Sequence, residues 1–259
     1  MRLAVKQIKN LLSFLTVFPV PMDKDLLTDC ARNMWAFPLI GAFLGLLAGL
    51  FGWVAYYFLP DLVAGTLVLS LLLWMTGLHH MDGLLDFGDG VMAHGSFEHK
   101  IEVMHDRFSG AGAIGLVLMT YLATALAFGE FGRNVFFAGY AVPVIVPSLI
   151  VVELCAKMSM VMAAWAGKSV HQGMNSPFLE SMHGSDGGLR LVVTVVISSA
   201  ISIALLGLAG IFVVLAGIIT SLVMIVVSHK HFNGVTGDVF GAINELARLV
   251  CAVVLLAVI

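Results

Sequence analysis

Charged residues are scarce in this sequence. Lys, Arg, Asp and Glu together make up 11% of its 259 residues, whereas 60% are hydrophobic and the mean hydropathy is +1.02. A soluble domain carries about 25% charged residues, so this composition is typical of a polytopic membrane protein. The formal net charge of −3 gives no electrostatic support for binding nucleic acid. We therefore expect the lipid bilayer as a partner, and neither DNA nor RNA.

Cysteine is also rare. The three cysteines, Cys30, Cys155 and Cys251, are far apart and lie in mostly apolar surroundings. An odd, scattered set predicts neither a disulfide framework nor a CxxC metal site. We expect all three to behave as small buried hydrophobic residues.

Long segments without charge predict the helices that cross the membrane. A helix needs about 20 apolar residues to cross the bilayer core. The uncharged run from 191 to 229 is too long for one crossing and contains the glycines of "LLGLAGIF", so it predicts two helices. The seven predicted spans are 33–60, 62–81, 110–129, 134–152, the two halves of 191–229, and 239–259.

The first 20 residues show a different pattern. Arg2, Lys6 and Lys9 are interspersed among apolar positions, which is typical of an amphipathic helix lying on the membrane surface. No internal repeat or linker divides the rest of the chain. We expect an all-α bundle, with residues 1–259 forming a single integral-membrane catalytic domain. The sequence leaves the oligomeric state open, a homo-oligomer included.

The basic residues predict the orientation of the seven spans. Twelve of the 13 Lys and Arg residues fall on one side if the nearby Arg248 is counted there, and only Arg133 falls on the other. The positive-inside rule places the richer side in the cytoplasm. That side comprises the N-terminus and residues 79–109, 157–190 and 229–238. It also holds all nine histidines, and 14 of the 16 acidic residues if Glu153 and Glu245 lie near it. Polar chemistry on one face favours an enzyme at the cytoplasmic surface of the cell membrane over a pump or channel.

An acidic stripe follows the second predicted span. The segment "HHMDGLLDFGDG" places Asp82, Asp86 and Asp89 at positions i, i+4 and i+7, which share one face of a helix. Three carboxylates in apolar surroundings repel one another unless something neutralises them. A hard cation such as Mg²⁺, held by carboxylate, water and phosphate oxygens, would do so. The alternative is a solvated helix end with an aspartate cap, which needs one aspartate and not three.

A second polar cluster lies in "HDRFSGAG". Asp106 could complete the metal site, and Arg107 could hold a phosphate with two hydrogen bonds. The following glycines would let backbone N–H groups at the start of the next helix face an anion. Ser109 has two interpretations, as a substrate contact or as the cap of that helix.

Two further loops offer substrate contacts. In "HKHFNGVTGDVFGAINELAR", we expect Lys230, Asn233 and Asp238 to bind substrate, while Glu245 and Arg248 are close enough in sequence to form an ion pair. The middle loop, "WAGKSVHQGMNSPFLESMHGSDGG", has little periodicity and predicts a flexible loop or lid. Its candidate substrate contacts are Lys168, His171 and Asn175.

These motifs resemble one enzyme family. "HHMDGLLDFGDG" followed by "EVMHDRFSGAGAIG" is similar to the central motif of the cobalamin synthase family. The N-terminal "LLSFLTVFPVP" and "FPLIGAFLG", and the later "FNGVTGDVFGAINEL", resemble the same family. Residues 86–93 are also similar to the DxxDGxxAR motif of CDP-alcohol phosphotransferases, except that His94 replaces the arginine and only Asp106 follows where that family has two spaced aspartates.

The resemblance implies a reaction. Adenosylcobinamide-GDP would be joined to α-ribazole or its 5′-phosphate, with GMP as the leaving group. Mg²⁺ would be held by Asp86, Asp89 and Asp106, while Asp82 would be another ligand or the base that takes the hydroxyl proton. Two alternatives remain: a CDP-alcohol phosphotransferase of phospholipid synthesis, and a divalent-cation transporter. The transporter requires acidic or amide residues in mid-span, which residues 33–60, 110–129 and 191–229 do not provide.

Overall fold

The computed structural model describes residues 2–21, 24–133, 144–170 and 173–259. The described residues form α-helices and contain no strand. The helices are α1 (Arg2–Leu15), α2 (Leu26–Arg32), α3 (Phe37–Phe58), α4 (Asp61–Met75), α5 (His79–Met92), α6 (Phe97–Met104), α7 (Ala111–Arg133), α8 (Ile145–Ala166), α9 (Ser176–His183), α10 (Gly187–Leu206), α11 (Leu208–Phe232) and α12 (Gly237–Val258). The predicted all-α class is confirmed.

The helices agree with the expected number of membrane crossings. Six of them, α3, α7, α8, α10, α11 and α12, are each long and apolar enough to cross a membrane. Helix α4 supplies a seventh candidate when it is taken together with α5. Between these two, the chain bends by 96° at Gly77 and Leu78, which both have positive φ. Because of this bend, α5 does not continue the direction of α4, and we treat it as lying outside the span.

Helix α8 occupies the centre of the bundle. Nearly all of its residues are buried, and α3 packs most closely against it. The contact depends on glycines, because a Cβ atom at Gly41 or Gly45 would overlap a carbonyl oxygen of α8, at Glu153 or Leu149 respectively. Small residues of this kind are how membrane helices approach each other without a hydrophobic driving force.

The fourth predicted span is wrong in its position. It was expected over 134–152, but α8 extends from Ile145 to Ala166, and residues 134–143 lie outside the described part. The charges of Glu153 and Lys157 made this segment resemble the end of a span. The middle loop is also more ordered than expected, because it contains α9, which begins with Pro177 in its first turn.

Glu153 and Glu245 lie in the middle of α8 and α12, and not near the helix end at which one count of acidic residues placed them. Both are fully or almost fully buried in mid-helix, where they form ion pairs with Arg248. The second Arg248–Glu153 contact, from Nη2 to Oε2, measures 3.0 Å. The predicted pairing of Glu245 with Arg248 is confirmed, and Glu153 joins it. Lys157 and Arg248, which were counted on the same side, are buried in the bundle as well, so ten of the 13 basic residues remain on the richer side and Arg133 alone on the other. The orientation of the spans stays a prediction.

Lys157 extends this buried network. Its ammonium donates to Asn244 Oδ1 at 2.7 Å, and Asn244 Nδ2 donates to Glu245 Oε1 at 3.0 Å. The network therefore contains two carboxylates and two cations. A buried charge is tolerated when it is paired and hydrogen-bonded, so this group lets α8 and α12 pack together with charged side chains between them.

The cysteines and the N-terminal helix agree with the sequence pattern. All three cysteines are free and buried, as predicted. Helix α1 exposes the apolar side chains of Val5 and Ile8, while Asn10 donates to Asp29 of α2 at 2.9 Å. This amphipathic helix is attached to the bundle by one face and leaves apolar side chains on another.

Candidate active site

Three of the predicted site residues lie on α5. Asp82 is exposed, whereas Asp86 and Asp89 are half-buried, and the helix spans the whole predicted stripe. Burial, together with the nearby carboxylates of Asp238, Asp82 and Asp89, raises the pKa of Asp86 to about 7. The structure therefore brings at least four carboxylates within electrostatic range of one another.

Asp238 reaches this cluster because α12 packs closely on α5. A Cβ atom at Gly83 would lie 2.6 Å from the backbone oxygen of Asp238, and one at Gly241 would lie 3.1 Å from the backbone oxygen of His80. Glycine at these positions lets the two helices pack closely. As a result, Asp238 raises the pKa of Asp86 more than any other charged group does. Asp238 was expected to bind substrate, but its position in the sequence did not associate it with the α5 stripe. Gly83, one residue after Asp82, was the sequence feature that could have indicated a close approach of another helix at this point.

Asp89 has a structural role in addition to any metal ligation. Its carboxylate accepts hydrogen bonds from Gly110 N at 2.5 Å and from Ala113 N at 2.8 Å. These N–H groups belong to the start of α7, where they have no partner within the helix. Asp89 therefore caps α7 from a neighbouring helix. Among the described residues, no hydrogen bond gives Ser109 this role, which the sequence allowed as one of two interpretations.

The other residues of the "HDRFSGAG" segment are exposed. Asp106 accepts a weak hydrogen bond from Phe108 N at 3.4 Å and is not among the groups that raise the pKa of Asp86. Arg107 and Ser109 lie in the same loop. His105, at the start of this segment, connects the loop to the cluster, because its Nε2 lies 3.6 Å from Asp238 Oδ2. The participation of Asp106 in a metal site stays a prediction.

The third predicted loop adjoins the same end of the bundle. Lys230 is exposed in the last turn of α11, and Asn233 ends that helix in a left-handed conformation, with φ of 60°. Thr236 caps α12 by accepting from Val239 N at 3.3 Å, which places Asp238 in the first turn of that helix. Both neighbouring histidines are engaged in contacts, His229 with Lys168 N and His231 with the ammonium of Lys100.

The chemistry of the cluster fits a hard divalent cation. Its donors are all carboxylate oxygens, which Mg²⁺ prefers. Their mutual repulsion, visible in the raised pKa of Asp86, would be relieved by a bound cation. In the described residues, no three His, Cys, Asp or Glu side chains are already gathered closely enough to form a metal site by themselves. Water and substrate oxygens would complete the coordination, as is usual for Mg²⁺.

Comparison with known proteins identifies the family. The family model described as Cobalamin-5-phosphate synthase matches residues 7–256. An adenosylcobinamide-GDP ribazoletransferase of Methanococcoides burtonii is 30% identical over 249 residues, which cover 96% of this chain and 90% of that protein. The enzyme of the same name from Thermococcus kodakarensis is 34% identical over 247 residues, covering 93% and 94% of the two chains.

A third relative, from Methanocella arvoryzae, carries the same name and is 33% identical over 262 residues, covering 96% and 94% of the two chains. No solved structure matches the chain. The matches extend over the described bundle and include both helices that supply the carboxylates. The chain therefore belongs to the Cobalamin-5-phosphate synthase family.

Proposed function

We propose that this protein joins adenosylcobinamide-GDP to α-ribazole, or to its 5′-phosphate, and releases GMP. Membership of its family makes it an enzyme of cobalamin synthesis. The observation that carries the specific proposal is the convergence of Asp82, Asp86 and Asp89 on α5 with Asp238 on α12. Phosphoryl transfer needs charge neutralisation and alignment more than covalent participation by the protein, and a carboxylate cluster that can hold a metal ion provides both.

Mg²⁺ is the cofactor that this site would hold. Asp86 and Asp238 are its central candidate ligands, with Asp82, Asp89 and Asp106 around them. When bound, the ion would neutralise the diphosphate and stabilise the charge that develops on the leaving GMP. Asp89 can cap α7 and still contribute a lone pair, because a carboxylate has about four acceptor positions.

The protein's own side chains would position the reacting groups. The 3′-hydroxyl of α-ribazole attacks the phosphorus on the cobinamide side, so that one P–O bond forms while the bond to GMP breaks. GMP leaves with the electron pair of that bond, and the hydroxyl proton passes to a base. Asp82 is the exposed carboxylate of the cluster and serves either as this base or as a metal ligand.

The diphosphate requires cationic contacts as well. Arg107 is exposed on the loop that follows α6, and its guanidinium can bind two phosphate oxygens at once. Lys230, Ser109 and Asn233 supply further exposed donors at the same end of the bundle. The segregation of basic residues supports a cytoplasmic position for this end in the cell membrane.

The transporter alternative is weakened by the buried charges. A transporter needs acidic groups in mid-span that are available to a passing cation. Glu153 and Glu245 are in mid-span, but both are already paired with Arg248. These carboxylates therefore have a structural partner instead of an open path.

The test is a reconstitution of the reaction. Purified protein in lipid nanodiscs is incubated with adenosylcobinamide-GDP, α-ribazole and Mg²⁺, and adenosylcobalamin and GMP are measured by chromatography. We expect equal amounts of both products, loss of turnover when Mg²⁺ is chelated, and recovery when it is restored. Release of CMP from a CDP-alcohol, or Mg²⁺ flux into liposomes, without formation of adenosylcobalamin would overturn the proposal.

A further inference from the structure

A cavity of about 390 Å³ lies beside α9. Its walls come from the segment that follows α8 and from one face of α9. The lining residues are Lys168, Ser169, Val170, Ser176, Leu179, Glu180 and His183. Small-molecule sites in proteins occupy roughly 300–1,000 Å³, so the cavity is large enough for a nucleoside-sized ligand.

The lining combines four kinds of chemistry. Lys168 provides an exposed cation, and among the described residues no hydrogen bond or ion pair engages its ammonium. Glu180 provides a carboxylate, and no ion pair joins it to Lys168 in the described part of the chain. Val170 and Leu179 provide apolar surface, while hydroxyl groups line the space between them. A free inorganic anion would be repelled by Glu180. A nucleotide could instead place its phosphate near Lys168, a ribose hydroxyl near Glu180 and its base against the apolar side chains.

The backbone connects this cavity to the carboxylate cluster. Val235 N donates to Lys168 O at 2.7 Å, and Ser169 forms a parallel β-bridge with Val235. Asn175, buried just before α9, donates to Val235 O at 3.0 Å. Asp238 follows Val235 by three residues, a distance of at most about 10 Å along a chain. The cavity and the cluster are therefore fixed to opposite ends of one short segment.

We infer that this cavity binds the nucleotide acceptor of the reaction, with Lys168 facing its 5′-phosphate and Glu180 accepting a hydrogen bond from its 2′-hydroxyl, which leaves the reacting 3′-hydroxyl free to face the carboxylate cluster. Carboxylates bind ribose hydroxyls in this way in dinucleotide-binding proteins, and lysine is a common phosphate ligand. The apolar walls would hold the base. The inference rests on the proposed function, since it assigns a binding site to one of the two substrates of that reaction.

The assignment predicts that one substitution changes the KM for α-ribazole 5′-phosphate but not the KM for α-ribazole. Lys168→Met removes a contact that only α-ribazole 5′-phosphate makes, so its KM should rise about tenfold, the effect of one charge-assisted hydrogen bond. The KM for α-ribazole should change little. Glu180→Gln should raise both KM values together, because both acceptors carry the ribose. Lys9→Met, an exposed charge removal on α1, is the matched control and should change neither KM.

Lipid headgroups carry phosphate too, and the experiment must separate the two sources. KM values are measured in nanodiscs of phosphatidylcholine alone and again with an anionic lipid added. Equilibrium binding of α-ribazole 5′-phosphate is measured without the other substrate, so that it needs no turnover. An effect of Lys168→Met that appears only with the anionic lipid would assign the cavity to a lipid and overturn the inference.

The two proposals fail in different ways. If the wild type forms adenosylcobalamin but Lys168→Met shifts both acceptors equally, or neither, the cavity assignment is wrong and the proposed function stands. If the wild type binds α-ribazole 5′-phosphate in a Lys168-dependent manner but forms no adenosylcobalamin, the cavity assignment stands and the proposed function is wrong.

Discussion

Two groups of charged side chains in this bundle differ in how their charges are balanced. Glu153, Glu245, Lys157 and Arg248 lie in the interior, where opposite charges are paired and hydrogen-bonded. In the cluster at the end of the bundle, the charges acting on Asp86 are all carboxylates. The first group is complete within the protein and serves its packing. The second carries repulsion that a ligand can relieve, which is the expected property of a site that binds a cation and a diphosphate.

One buried histidine lies within electrostatic range of the interior group. His80 is buried on α5, and its Nδ1 has no hydrogen-bond partner among the described residues. Burial lowers the pKa of His80 well below its ordinary value, and the nearby charges of Lys157 and Arg248 lower it further. Burial and both cations therefore favour the neutral form of this imidazole.

The largest expected effect comes from breaking the interior group. Arg248→Met would leave Glu153 and Glu245 buried without their partner, and removal of one member of a buried pair costs about 3–5 kcal/mol. We expect little folded protein, measured as a lower Tm in detergent and a smaller yield. The triple variant that also carries Glu153→Gln and Glu245→Gln should recover much of this loss. An unchanged Tm for Arg248→Met would show that the network does not stabilise the fold.

Removing charge from the cluster should have the opposite effect on stability. Asp86→Asn keeps the volume of the side chain but removes a hard anionic ligand and relieves repulsion from Asp82 and Asp238. Turnover should fall by at least about a hundredfold, while Tm stays equal to that of the wild type or rises. Asp238→Asn should behave in the same way. Near-normal activity in either variant would contradict its assignment to the site.

Much of this contrast could be predicted from the sequence, and the reasons are local. Uncharged runs identified most spans, and the i, i+4, i+7 spacing identified the stripe on α5, because both depend only on helical geometry. The limits of α8 were misjudged because Glu153 and Lys157 interrupt its apolar pattern. The ion pair of Glu153 with Arg248 and the hydrogen bond of Lys157 to Asn244 depend on tertiary contacts.

The composition of the cluster was only partly predictable for a similar reason. Asp238 is about 150 residues from the α5 stripe, and its arrival there depends on how closely two helices can pack. The capping of α7 by Asp89 likewise joins groups on different helices. Sequence spacing shows which residues share a helix face, but not which faces meet.

A smaller effect is expected when the two helices of the cluster are moved apart. Gly83→Ala would place a methyl group against the backbone of Asp238, which must then shift away from Asp86. We expect turnover to fall about tenfold with a modest loss of stability, of about 1–3 kcal/mol. Gly115→Ala on α7 is the matched control, because a Cβ atom at that position meets nothing within 4 Å. Equal activities of the two variants would argue against a close-packed cluster.

The smallest expected effect separates metal binding from phosphate binding. Arg107→Lys keeps the charge but loses the two-pronged contact, so the KM for adenosylcobinamide-GDP should rise severalfold with little change in the Mg²⁺ requirement. Asp106→Asn should instead raise the Mg²⁺ concentration needed for half-maximal turnover, if Asp106 is a ligand. Titration of Mg²⁺ at saturating substrate measures both. Equal shifts in the two variants would show that the roles are not divided in this way.

The bend at Gly77 and Leu78 also relates the protein to the thickness of its membrane. It ends α4 after 15 residues, which measure about 22 Å along a helix axis, whereas the hydrocarbon core of a typical bilayer is about 30 Å thick. A span this short is matched by local thinning of the bilayer. The helix that carries the carboxylates begins where α4 stops, so a mismatch between α4 and the bilayer would change the depth of the cluster, and lipid chain length would then be a variable of the proposed reaction.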